Sequence, residues 1–122
     1  MELKAKFYIT DDDGNKFMGI GVLWLLEKTR QLGSLRRAAK DMTISYTKAY
    51  NMINRLESCL GVDVLERKKG GSSRDGASLT PFGAELIRIY SEFQDEARAR
   101  LEEPYDKFDK ELTRLKEEFK NG

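Results

Sequence analysis

Two amphipathic segments with almost no chain between them restrict this sequence more than any other feature. Ala38, Ala39 and Met42 in the first, then Ala49, Met52, Ile53 and Leu56 in the second, recur at the spacing of one helix face. Ser34 and Ser45 stand where N-caps are wanted, and Gly33 suits the end of a preceding helix. Met42-Thr43 leaves room only for a tight connection. Two helices joined so closely must pack on each other, with Ile44 closing the turn. Small residues such as Ala39 and Ala49 then allow close approach.

The outward side of the second helix is unusual. It carries Tyr46, Thr47, Lys48, Tyr50, Asn51, Asn54 and Arg55, with Ser45 at its start. A helix turned only to water would normally show more lysine and glutamate. Asparagine can bind adenine through two hydrogen bonds, and a threonine methyl can pack on a thymine methyl. Tyrosine hydroxyls and lysine can reach phosphates. Tyr50 has a second reading, as a core residue with its hydroxyl at the rim.

The flanking segments have their own periods. Leu3, Ala5, Phe7 and Ile9 alternate with polar residues, which predicts a strand. Residues 11–15 form a hairpin turn and 16–18 a short return strand. Over residues 19–32, Val22, Leu25, Leu26 and Thr29 predict a helix whose apolar face is widened by Leu23, Trp24 and Leu32. Residues 62–67 and 77–79 predict two strands around a glycine-rich loop. Thr80-Pro81 then caps a helix reaching beyond Phe93. Leu101, Tyr105, Phe108, Leu112, Leu115 and Phe119 follow a heptad seam, with a kink or restart expected at Pro104.

The expected fold class is therefore mainly α with small β-ribbons (α+β). It is a winged helix-turn-helix with an N-terminal β-hairpin and a long C-terminal helix. Residues 1–95 form the binding domain in this reading and 96–122 a helical dimerisation extension. The seam either pairs between two copies or folds back on its own domain.

Charge follows the same division. Residues 30–74 hold ten Lys/Arg against four Asp/Glu, a balance of +6, whereas 91–122 hold seven against ten, a balance of −3. The middle suits a polyanion. Arg36, Arg37 and Lys40 can meet a nucleic-acid backbone, and so can Arg67, Lys68, Lys69 and Arg74 around the glycine-rich loop. The loop charges have solubility as an alternative role.

Several function classes are disfavoured. The chain has no histidine and one cysteine, which removes the commonest general base and the makings of a zinc cluster. Asp11-Asp12-Asp13-Gly14-Asn15 lacks the sixth-position glycine and twelfth-position glutamate of a calcium loop. Gly70-Gly71-Ser72-Ser73 lacks the ending of a phosphate-binding P-loop. Neither an enzyme nor a bound cofactor is expected. A mean hydropathy of −0.63, no long apolar run and a lone cysteine point to a reducing cytoplasm and no membrane partner.

Residues 34–57, SLRRAAKDMTISYTKAYNMINRLE, resemble the helix-turn-helix of LysR-type regulators. The likeness continues through residues 60–67 and 79–83. Ile44-Ser45-Tyr46, Tyr50, Ile53-Asn54, Gly70-Gly71 and the Leu-Ile-x-x-Tyr ending at Tyr90 are similar to the N-terminal domain of the ModE family of molybdate-responsive regulators. The resemblance covers about residues 1–95. It implies a homodimer that places two recognition helices on palindromic double-stranded DNA to regulate transcription. The C-terminal oxyanion-binding domains of ModE and the effector domain of LysR-type proteins have no counterpart in this sequence, so the resemblance does not imply molybdate sensing by this polypeptide and leaves open a separate sensor protein. The alternative is a protein-interaction module that keeps the fold and works through its tail.

Overall fold

The computed structural model describes residues 1–67 and 76–120. It divides into two compact units, Lys6–Ser91 and Met1–Ala5 with Glu92–Gly122. In the first unit, β1 (Tyr8–Thr10) pairs antiparallel with β2 (Lys16–Gly19), followed by α1 (Ile20–Leu32), α2 (Leu35–Asp41) and α3 (Tyr46–Leu60). A second antiparallel ribbon, β3 (Leu65–Arg67) with β4 (Ala77–Leu79), precedes α4 (Pro81–Arg100). The unit boundary falls within α4, between Ser91 and Glu92.

The caps fix the helix pair. Ser34 Oγ accepts the Arg37 amide at 3.1 Å, and Ser45 Oγ accepts the Lys48 amide at 3.0 Å. Each satisfies an amide that the first helical turn leaves without a partner. Between them Thr43 adopts φ 60°, a left-handed conformation that turns the chain within four residues. α1 and α3 end on Gly33 and Gly61, both left-handed.

Met18, Leu25, Leu26, Ile53, Leu56 and Val64 are fully buried and centre the core, with Ala38, Ala39 and Ala49 where α2 and α3 meet. Each large side chain contributes about 1.5–3 kcal/mol by leaving water. Thr29 is buried within α1, its hydroxyl donating to the Leu25 carbonyl at 2.7 Å. The second ribbon is tied to the α1–α2 turn through the Ala77 amide, which donates to the Gly33 carbonyl at 2.9 Å.

Several expectations change. β1 occupies only Tyr8–Thr10, and Leu3 and Ile9 are exposed. The four-residue β2 offers no partner to the residues before Tyr8, and the register shifts between Ile9 and Thr10. β3 likewise begins at Leu65, and Val62 is exposed. Trp24 and Leu32 lie outside the core, at 54% and 39% exposure.

In the second unit, α5 (Glu102–Lys120) follows a break at Leu101, before Pro104 rather than at it. Pro104 falls in the first turn of α5, where an amide has no intrahelical partner to lose. No residue of α5 is buried, and Phe108, Leu115 and Phe119 are exposed. Among the described residues, no helix is long and apolar enough to cross a membrane.

Candidate nucleic-acid interface

Helix α3 sorts its residues into four sides. Ala49, Ile53 and Leu56 are buried. Winding at about 100° per residue, the helix directs Thr47, Asn51 and Ser58 furthest from them. Tyr46, Tyr50 and Glu57 fall on one flank, and Lys48, Met52 and Arg55 on the other. Thr47, Lys48, Asn51 and Arg55 are exposed, as are Tyr46 at 36% and Tyr50 at 38%. Tyr50 is therefore no core residue.

The tyrosine flank is organised by arginines. The Arg36 guanidinium of α2 lies 4.2 Å from the Tyr46 ring centroid, and that of Arg67 in β3 lies 4.7 Å from Tyr50. The two rings are 6.1 Å apart and tilted by 41°. Cations over aromatic faces are held by the ring quadrupole, so these contacts join α2, α3 and β3 in one row. A hydrogen bond from the Asn54 side chain, then one from Arg67 and its positive charge, hold the Tyr50 hydroxyl below its ordinary pKa. Asn54 is half-buried and acts on the Tyr50 hydroxyl, whereas Asn51 is exposed. The two asparagines are thus placed differently.

Glu57, which the sequence reading did not single out as a site residue, fastens the second ribbon to this flank. Its Oε2 accepts the Val64 amide at 2.8 Å and the Leu65 amide at 3.3 Å. Nothing in local periodicity identifies that role. It depends on where β3 returns to the helix.

On the opposite flank, Lys16, Ser45, Thr47, Lys48, Asn51 and Arg55 line much of an open groove of about 460 Å³. Arg55 donates to the Lys16 carbonyl at 3.5 Å, and its charge helps lower the Asp11 pKa after the dominant hydrogen bond from Asn15. The Ser45 hydroxyl is occupied as a cap. Arg37 and Lys40 are exposed on α2. Lys68, Lys69 and Arg74 lie outside the described residues. Among those described, no group of three or more Cys, Asp or Glu could hold a metal ion, and Cys59 is free and exposed.

The arrangement offers amide and hydroxyl groups at its centre with cations on both sides. Residues 22–84 match the family described as bacterial regulatory helix-turn-helix protein, lysR family. Over 66 residues the chain is 38% identical to the DNA-binding transcriptional dual regulator ModE of Escherichia coli K12, covering 54% of this chain and 25% of that protein. It is 32% identical, also over 66 residues, to the transcriptional regulator ModE of Haemophilus influenzae, covering 54% and 26%. The chain thus spans about a quarter of these relatives' length. Among solved structures, the CbnR DBD–DNA complex superimposes with a TM-score of 0.53 at 27% identity, over 68% of this chain and 93% of that one.

Proposed function

The chain belongs to the lysR family of bacterial regulatory helix-turn-helix proteins, and from that premise we propose that it binds double-stranded DNA sequence-selectively and regulates transcription. The observation carrying this reading is the exposed side of α3, where Thr47 and Asn51 face outward between cationic flanks. A helix of this kind fits the major groove, where amide and methyl groups meet base edges. Arg36, Arg37 and Lys48 supply backbone contacts that set register. Lys68, Lys69 and Arg74, which fall between β3 and β4 in the sequence, would add to them.

A homodimer completes the proposal. Phe108, Leu115 and Phe119 are exposed on α5, and a second copy offers a matching seam. Two recognition helices related by a two-fold axis require a palindromic site.

A retardation titration at low salt, repeated across a salt series, tests the reading. It predicts retained duplex and an affinity that falls steeply with salt through counterion release. A module that works only through protein contacts would leave the duplex unretarded even at micromolar protein.

A further inference from the structure

A helix lying in the major groove has a phosphate backbone on each side, because the groove is only about 12 Å wide. In this chain each flank of α3 carries its own β-ribbon. β3–β4 joins the tyrosine flank through Arg67 and Glu57. β1–β2 borders the other, where Lys16 and Phe17 of β2 form one wall of the groove and Thr47, Lys48 and Asn51 of α3 form the facing wall. A long contact, 3.5 Å, from Arg55 to the Lys16 carbonyl also links ribbon and helix.

The cations here are available. Lys16 and Lys48 are exposed and make no ion pair among the described residues. Lys16 Nζ stands 5.2 Å from the Tyr8 ring centroid, so the ring steadies the ammonium without neutralising it. The hairpin tip is different in character. Asp11 Oδ1 accepts the Asp13 and Asn15 amides, each at 2.9 Å, which spends that carboxylate on the turn. Asp12 and Asp13 carry the wrong sign for a phosphate. Only the strand residue is suited to one.

We propose that β1–β2 is a second DNA-contacting ribbon, in which Lys16, acting with Lys48, binds the phosphate backbone on the side of α3 opposite β3–β4. This rests on the DNA-binding reading above and extends it to a segment that the helix-turn-helix itself does not include. It also gives Arg55 a task other than base reading, as the tie between helix and hairpin. The recognition helix is then bracketed, with one ribbon for each wall of the groove.

The test uses the full chain as wild type, Lys16→Ala, Lys16→Arg and, as a charge control remote in sequence, Lys107→Ala. Equilibrium binding to one duplex is measured across a salt series. For Lys16→Ala the slope of log K against log salt becomes shallower by about one for each bound chain, hence by about two for a dimer on its duplex. Lys16→Arg restores the wild-type slope, and Lys107→Ala leaves it unchanged. A Lys16→Ala slope equal to wild type, with wild type still binding, overturns the second ribbon alone. A wild-type chain that retains no duplex at low salt overturns both this inference and the reading beneath it.

Discussion

The Arg67 guanidinium lies over the ring of Tyr50, 4.7 Å from its centroid, so the first strand of the wing is fastened to the exposed flank of α3. The Asn54 side chain, with Arg67, favours the ionised form of the Tyr50 hydroxyl. A ring that also faces outward thus fixes where the wing begins relative to the helix.

This contact has a spectroscopic consequence. Tyr50 ionises below the ordinary tyrosine value and Tyr105 above it, the latter through partial desolvation and the nearby Asp109, Asp106 and Glu2 carboxylates. An alkaline absorbance titration should show an early tyrosinate phase that Tyr50→Phe abolishes. The folded state favours the charged form of Tyr50. Its ionisation therefore contributes stability above the unfolded value of about 10. That contribution is lost as pH falls through the lower folded value, and neutral-pH stability does not depend on it. An unchanged titration curve in Tyr50→Phe would contradict the assignment.

Glu57→Ala strands the Val64 and Leu65 amides. The expected loss is about 1–3 kcal/mol by chemical denaturation, the cost of leaving part-buried donors unsatisfied. Glu57→Gln keeps an acceptor oxygen and should lose less. Equal losses in the two variants would remove this role from the carboxylate.

Gly83 lies where α4 passes the chain before β3. A Cβ there would stand well inside contact distance of the Val64 carbonyl oxygen and 3.2 Å from the Val64 Cα. The same approach is held by the Thr80 amide on the Val64 carbonyl at 3.0 Å and the Thr80 hydroxyl on the Asp63 carbonyl at 2.7 Å. Because the obstruction is backbone, Gly83→Ala should cost about 1–3 kcal/mol, read as a lowered unfolding midpoint. A midpoint equal to wild type would show that the backbones can separate freely.

The helix pair was legible in the sequence because its signals are local. Ser34 and Ser45 cap where they stand, and Ala38, Ala39 and Ala49 mark the contact between α2 and α3. Periodicity alone overstates the strands. Alternation in residues 3–9 records which side chains could share a face, but pairing requires a partner, and β2 supplies only four residues. Trp24 extends the apolar face of α1 by its spacing, yet among the described residues it stays 54% exposed. The difference between Asn51 and Asn54 follows from one neighbour, since Asn54 stands one turn after Tyr50 and reaches its hydroxyl. Lys16 and Glu57 acquire their places only when distant ribbons return to α3.

The α5 seam predicts an assembly state. Leu115→Glu with Phe119→Glu places charge on two exposed apolar positions of that helix. Each large side chain contributes about 1.5–3 kcal/mol when buried, so dimer dissociation should strengthen by about a hundredfold or more. Sedimentation equilibrium should show two chains for wild type and one for the variant at the same concentration. A variant that keeps the wild-type mass would exclude this seam as the interface.

Selection of bound fragments from random duplex DNA, carried out side by side with wild type and Asn51→Ala, tests the recognition surface most directly. Wild type should enrich a palindrome. Asn51→Ala should still bind duplex while losing preference at one base position in each half-site, worth about 1–3 kcal/mol. The same motif recovered at equal strength from both proteins, or no motif from wild type, would contradict base reading by the outward face of α3.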